Sequence, residues 1–213
     1  MKRKIIYTCI TNNYDSLKEP LVITEGWEYT CFTNNKEIFS NKNTAWNVIY
    51  MDLPTTKHQR EIKINPSKFF NYDLCIWIDG SIRINCNLNE FVQKNHLQHF
   101  TTLLHPHRNC VYEEAETCIK LKKDDRLIIS EQMYDYRKAG FPRDRGMIGS
   151  GLIIRTRSNE NDDFCFKWWK EVEKYSKRDQ LSFNYVLYHN PIPHNLISFG
   201  VLKNEFTLLK HTK

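Results

Sequence analysis

The sequence predicts an α/β fold: one domain over residues 1–213, built on a mixed or parallel central sheet. Three observations carry this. Leu74–Ile78 (LCIWI) is an apolar run too short for a globular helix and closed by Asp79-Gly80, the pattern of a strand buried on both faces. Further short apolar runs end, like it, in polar clusters. Between them lie stretches with helical periodicity and stop signals, and 213 residues suffice for one substantial core.

Lys4–Ile10 (KIIYTCI) reads as the first strand and delivers the polar loop Thr11-Asn12-Asn13-Tyr14-Asp15. The asparagines there can turn the chain through local side-chain bonds or hold a ligand, and Tyr14 can stack on a planar base or cover the sheet edge. Trp27–Phe32 is a second strand, followed by Thr33-Asn34-Asn35, and Ala45–Met51 a third. Thr55–Ile64 reads as a helix that puts Arg60 and Lys63 on one face, ended by Asn65-Pro66. These cations are either solvated or aimed at the phosphates of a ligand. A short helix, Pro66–Phe70, leads into the central strand.

Gly80, after Asp79, lets the backbone turn or approach a ligand closely. In such sheets ligand sites lie at the carboxyl ends of strands, where Asp79 stands; the plainer alternative is that it only opens a turn into the strand Ser81–Ile84. Asn87–Lys94 reads as a helix and Phe100–Leu104 as a strand leading into His105-Pro106-His107-Arg108. That cluster lacks a third metal ligand at a recognised spacing; His107 and Arg108 better suit a phosphate or sugar hydroxyl, arginine supplying a rigid fork of donors. Val111–Lys122 and Asp124–Arg137 are helices, the second stopped by Gly140-Phe141-Pro142. The glycine-rich stretch ending in Gly149-Ser150-Gly151 reads as a flexible pocket wall leading to the strand Leu152–Arg155, and it is not a Walker loop. Asp162–Tyr175 is an amphipathic helix whose Phe164, Phe166, Trp168, Trp169 and Val172 suit a core. Arg178-Asp179-Gln180 precedes an apolar helix, Asn184–Tyr188, where Asp179 could simply be an N-cap. A last strand, Leu196–Val201, follows His194, a surface residue or one that reaches back into the site.

Charge narrows the partners. The formal net charge is +6, but 31 basic residues are interspersed with 25 acidic ones. No basic stripe with stacking aromatics stands out, so nucleic acid is not expected, whereas a phosphorylated small ligand or an anionic surface is. Seven cysteines, an odd number without a CxxC pair, and no signal-peptide pattern predict a reducing, cytoplasmic location. No segment reads as a membrane span, so any attachment, such as at the inner face of a membrane, would be peripheral. Oligomeric state is not legible.

Taken together, IYTCITNNYD, YTCFTNN, the Arg60/Lys63/Pro66 spacing, YDLCIWIDGSI, HPHRNCVYEEA, YDYRKAGFP, Trp168-Trp169 and RDQLSFNYVL resemble, in this order, a bacterial and plant family of glycosyltransferase-like domains. Its plant members are linked to cell-wall and mucilage polysaccharide synthesis. The resemblance covers nearly the whole chain. It implies a GT-A-like, Rossmann-type three-layer α/β/α sandwich with a mixed central sheet. It also implies a hexosyltransferase moving sugar from a nucleotide sugar, a UDP-sugar by preference, to a glycan or other hydroxyl acceptor. The contrary possibility is a non-catalytic carbohydrate- or nucleotide-binding protein on a degenerate transferase fold.

The resemblance also assigns residues. The Asp-X-Asp that holds Mn²⁺ or Mg²⁺ in that wider class corresponds to Asp79-Gly80-Ser81, so Ser81 stands where a carboxylate is expected, a weaker ligand for a hard cation. His194 is a candidate third ligand. Thr11, Asn12, Asn13, Tyr14, Arg60, Lys63, His107 and Arg108 are the further donor-binding candidates. Arg178, Asp179 and Gln180 are the catalytic candidates by likeness to the Asp-Gln of retaining enzymes, while Glu114, Gly149 and Ser150 fall on the acceptor side. An inverting reaction would need a carboxylate base, Asp179 or Glu114.

Overall fold

The computed structural model describes residues 2–95, 97 and 99–211. Its strands are β1 (Lys4–Ile10), β2 (Trp27–Thr33), β3 (Asn47–Tyr50), β4 (Leu74–Ile78), β5 (Ile82–Ile84), β6 (Phe100–Leu104), β7 (Ile148–Thr156), β8 (His194–Ile197) and β9 (Phe206–Leu208). Seven of them form one sheet in the order β3-β2-β1-β4-β7-β6-β8, in which β7 alone runs against the rest. The helices are α1 (Lys36–Ser40), α2 (Thr56–Ile64), α3 (Leu88–Lys94), α4 (Val111–Lys120), α5 (Arg126–Lys138), α6 (Asn159–Lys174) and α7 (Gln180–His189).

Strand periodicity divides the core into two layers. Alternate residues of β1 and β4, namely Ile5, Tyr7, Cys9, Cys75 and Trp77, pack on one face against α2, α6 and α7. Their neighbours Ile6, Ile10, Ile76 and Ile78 pack on the other with Ile38 of α1, Leu88 and Phe91 of α3, and the β5–β9 ribbon. Both faces being covered explains why LCIWI is apolar throughout rather than alternating. A third cluster, built from α4, α5 and Leu181 of α7, buttresses one side. The result is a mixed α/β sandwich of GT-A-like, Rossmann-type layering.

The structure corrects several expectations. Gly149-Ser150-Gly151 is not a loop but lies within β7, held by β4 through Ile78 opposite Leu152 and by β6 through Leu103 opposite Gly149. A register shift at Thr102/Leu103 accommodates the glycines. β5 does not extend the main sheet; it pairs with β9, whose three residues are too few to signal a strand. The last predicted strand, Leu196–Val201, starts earlier and stops at Ile197, where a 3₁₀ turn begins at Phe199. Phe166 is exposed, because the core stripe of α6 follows Phe164, Trp168 and Val172.

Candidate functional site

At the carboxyl ends of β1 and β4 two adjoining hollows open, of about 250 and 490 Å³, sharing Arg60, Asp79, Arg178 and His211 in their walls. Asp79 closes β4. Its Oδ1 accepts a hydrogen bond from Trp77 Nε1 at 2.9 Å, two residues back on the same strand, and lies 3.5 Å from Lys63 Nζ. The backbone turns at once, Ile82 N–H bonding to the Asp79 carbonyl, so the turn reading of this residue holds alongside its place in the cleft wall. Gly80 presses against Ile10 and Asp15, where a Cβ would come within 3.0 Å of the Ile10 side chain. That close approach of two strand ends is what requires glycine there.

Arg60 and Lys63, one turn apart on α2, both reach the segment that precedes α7. Lys63 Nζ sits 2.8 Å from Asp179 Oδ2 and donates to Ser150 Oγ at 2.9 Å, while Arg60 Nε lies 3.4 Å from Asp179 Oδ1. Lys63 and Asp179 are 1% and 3% exposed in their side chains, against 39% for Asp79. Burial pushes the Asp179 carboxyl up, but the charges of Lys63 and Arg60 outweigh it and hold the group well below the usual carboxylate range. Asp179 does stand at the N-cap position of α7, but its carboxylate makes no capping bond there and turns to α2 instead.

A buried lysine of this kind needs a rigid base, and β7 provides it. Arg155, fully buried, donates to the carbonyls of Lys63 (2.7 Å) and Ile64 (2.9 Å) at the C-terminus of α2, and Tyr7 Oη donates to the same Lys63 carbonyl at 2.9 Å. A cation suits a helix end that presents unpaired carbonyls. Arg155 was invisible as a site-building residue in the sequence, where it reads as the end of an apolar strand.

The neighbouring segments are wired in. Gln180 donates to the Ile148 carbonyl (3.0 Å) and accepts from Arg178 (2.8 Å), whose buried Nε has no hydrogen-bond partner among the described residues. Asp124 accepts from Ser176 Oγ and from the Lys177 amide, tying the turn after α6 to the turn between α4 and α5, which brings Lys123 and Lys177 to the rim. Thr11, Asn12 and Tyr14 line the larger hollow with Asp15. Asn12 and Asn13 both take left-handed backbone (φ 54° and 55°) and bond to Asn34 and Asn35, so Asn13 braces the loop rather than lining the hollow.

Four candidates, His194, Arg108, Glu114 and His107, lie elsewhere than expected. His194 starts β8 opposite Phe100, at the far end of the sheet from Asp79, roughly 13 Å of strand away from the carboxyl end of β6. The late histidine in the cleft is His211, which β9 carries back so that its ring lies on Tyr14 (4.8 Å between centroids) with Nδ1 3.0 Å from Asp15 Oδ2. No signal in the sequence separates the two histidines. Arg108 turns away to Glu114, which is buried and also lies near the Cys118 thiol, so neither residue lines the hollows. His107 is exposed outside them, whereas His105 lines the smaller one. Its Nδ1 accepts the Arg108 amide at 3.0 Å, which leaves the neutral-form proton on Nε2. Burial keeps that imidazole below its ordinary pKa, against the pull of Glu114.

For a divalent ion the cleft offers Asp79 and the buried Ser81 hydroxyl; Asp15 and His211 lie in the same walls but pair with each other. Lys63, placed 3.5 Å from Asp79 and 2.8 Å from Asp179, already occupies the space between the two carboxylates. One partly engaged carboxylate and one hydroxyl are a poor set for a hard cation beside a fixed ammonium. Among the described residues one grouping brings three potential ligand atoms within 4.8 Å of one another: Cys110, Glu113 and Asp144, at the start of α4. It could hold a metal ion, although it lies outside both hollows. Among the described residues no helix is long and apolar enough to cross a membrane.

The family model described as TOD1/MUCI70, glycosyltransferase-like domain, matches residues 1–205, and no curated protein matches the chain significantly. The chain belongs to that glycosyltransferase-like family.

Proposed function

We propose that the protein is a glycosyltransferase that moves a hexose from a nucleotide-sugar donor, a UDP-sugar by preference, to a hydroxyl of a glycan acceptor. One observation carries the reading: the strand-end Asp79 and the late Arg178-Asp179-Gln180 segment face one cleft and are joined through Lys63. The nucleoside would occupy the larger hollow against Thr11, Asn12 and Tyr14. The diphosphate would lie over Asp79-Gly80-Ser81 beside Arg60 and Arg178, and the acceptor would enter past His105, Gly149 and Ser150. Asp79 and Ser81 would hold Mn²⁺ or Mg²⁺ here, but among the described residues no three His, Cys or carboxylate ligand atoms of the cleft come within 4.8 Å of one another.

In the transfer, the bond from the anomeric carbon to the phosphate oxygen breaks and a bond to the acceptor oxygen forms. The acceptor's proton must go to a base. Asp179 is locked to two cations and Glu114 to Arg108. A carboxylate held so far below the usual range is a weak base. The departing phosphate oxygen is then the better proton acceptor, which favours retention of configuration, with Asp179 positioning Lys63 and Gln180 lining the sugar's side of the cleft. Cations fixed around a dry site stabilise the charge on the leaving diphosphate without reorganisation.

The test is a donor-hydrolysis and transfer screen over UDP-, GDP- and CMP-sugars, reading the anomeric configuration of the product. A retained product from a UDP-sugar is expected. Tight nucleotide-sugar binding without turnover toward any acceptor would favour the non-catalytic binding protein, a reading that the substitution of Ser81 for a carboxylate keeps in play.

A further inference from the structure

We infer, on the basis of the transferase reading, that the cleft holds the donor diphosphate with fixed side-chain cations, Arg178 foremost with Lys123 and Lys177, so that donor binding needs no divalent ion. Three observations meet here. The first is the ligand set: Lys63 Nζ stands between Asp79 and Asp179, at 3.5 and 2.8 Å, and already engages one oxygen of each. The second is charge. The walls of the two hollows carry five permanent cations, Arg60, Lys63, Lys123, Lys177 and Arg178, against three carboxylates, Asp15, Asp79 and Asp179. Lys63 and Arg60 are consumed by Asp179. The surplus of two positive charges over these walls matches the two ionised phosphates of a nucleotide sugar.

The third is placement. Arg178 lines both hollows, and Gln180 aligns its NH2 in their shared wall. Planar forks of this kind suit phosphate oxygens. Lys123 and Lys177 are brought beside it because Asp124 bonds the turn that carries Lys177 to the turn that carries Lys123. Asp124 Oδ1 lies 3.5 Å from Lys177 Nζ, a contact that a phosphate can compete for.

Calorimetric titration of the full chain with UDP, and with GDP and CMP, in EDTA and then in Mn²⁺, tests this. UDP is expected to bind in EDTA within about threefold of its affinity in Mn²⁺, and Arg178→Ala to weaken that binding at least about tenfold. Lys123→Ala, on an exposed rim where folding is not at stake, is expected to weaken it by about threefold and to flatten its salt dependence. Binding that vanishes in EDTA and returns with Mn²⁺ overturns the inference and leaves the transferase reading standing. So does unchanged UDP affinity in both variants. If none of the nucleotides binds in either buffer, the transferase reading falls and the inference with it.

Discussion

The two ends of the sheet make opposite use of similar materials. At the amino ends of β1 and β4 lies a larger hollow, about 690 Å³, walled by Lys4, Trp27, Leu74, Val92 and Leu97 among others. Its polar groups satisfy one another: the Asn89 carbonyl oxygen accepts from both Lys4 Nζ and Trp27 Nε1. At the carboxyl ends the hollows are smaller, yet Arg60, Lys63, Asp79, Arg178 and Asp179 converge on them from β4, α2 and the turn before α7. Size does not make the site. What distinguishes the carboxyl end is charge that remains directed at open space after internal pairing, and backbone that turns there because parallel strands must all leave the sheet in one direction.

That contrast can be broken most severely at Asp179. Replacing it in Asp179→Asn leaves Lys63 buried with Asp79, at 3.5 Å, as its counter-charge, and the expected cost is about 3–5 kcal/mol in urea unfolding at neutral pH. The pH dependence has a definite sign. Because the folded carboxyl is held below its unfolded value of about 3.9, its contribution is complete above that pH and is lost as pH falls below it. The stability gap between wild type and Asp179→Asn should therefore narrow below about pH 4. A gap that stays constant on acidification would show that the ion pair is not what the variant removed.

Asp79 separates chemistry from stability. It is 39% exposed in its side chain and touches Lys63 only at 3.5 Å. Asp79→Ala should cost about 1–3 kcal/mol of stability, because the buried Trp77 N–H loses its acceptor, while slowing donor hydrolysis by about a hundredfold or more, equivalent to about 2.7 kcal/mol in the barrier. Unchanged turnover in that variant would remove Asp79 from the proposed mechanism.

Smaller effects sharpen the comparison. A Cβ at Gly151 would lie 3.4 Å from Asp79 Oδ2, an ordinary contact, so Gly151→Ala should fold normally and change hydrolysis by only about three- to tenfold through crowding of that oxygen. At the other end, Asn89→Ala removes the shared acceptor of Lys4 and Trp27. It should lower stability by about 1 kcal/mol and leave hydrolysis within about twofold. Loss of activity in Asn89→Ala would mean that the two ends are coupled.

Much of the architecture was legible because it rests on local rules. Leu74–Ile78 announced a doubly covered strand, the stretches 87–94 and 124–137 read as the helices that form α3 and α5, and the spacing of Arg60 and Lys63 put both on one face of α2. The errors fell where pairing between distant segments decides. Glycines at 149 and 151 look like a loop until β4 and β6 capture them in a ladder from both sides. His194 and His211 are equivalent in a sequence, and only the pairing of β9 with β5 and of β8 with β6 sends one to the cleft and the other to the far end. Arg108 offers the same fork of donors as Arg178, but Glu114 takes it.

The sequence by itself determined the sheet's central strand, most of the succession of strands and helices, and the aspartate that ends the buried run, since each follows from periodicity and turn chemistry within a few residues; the family came from the resemblance of its motifs taken in order. Only the tertiary structure decided which charges cancel and which stay available. Lys63 could have faced a phosphate. That it instead rests on Asp179, clamped from behind by Arg155 and Tyr7, depends on groups that are far apart along the chain, and electrostatic pairing depends on distance and burial rather than on order in the sequence.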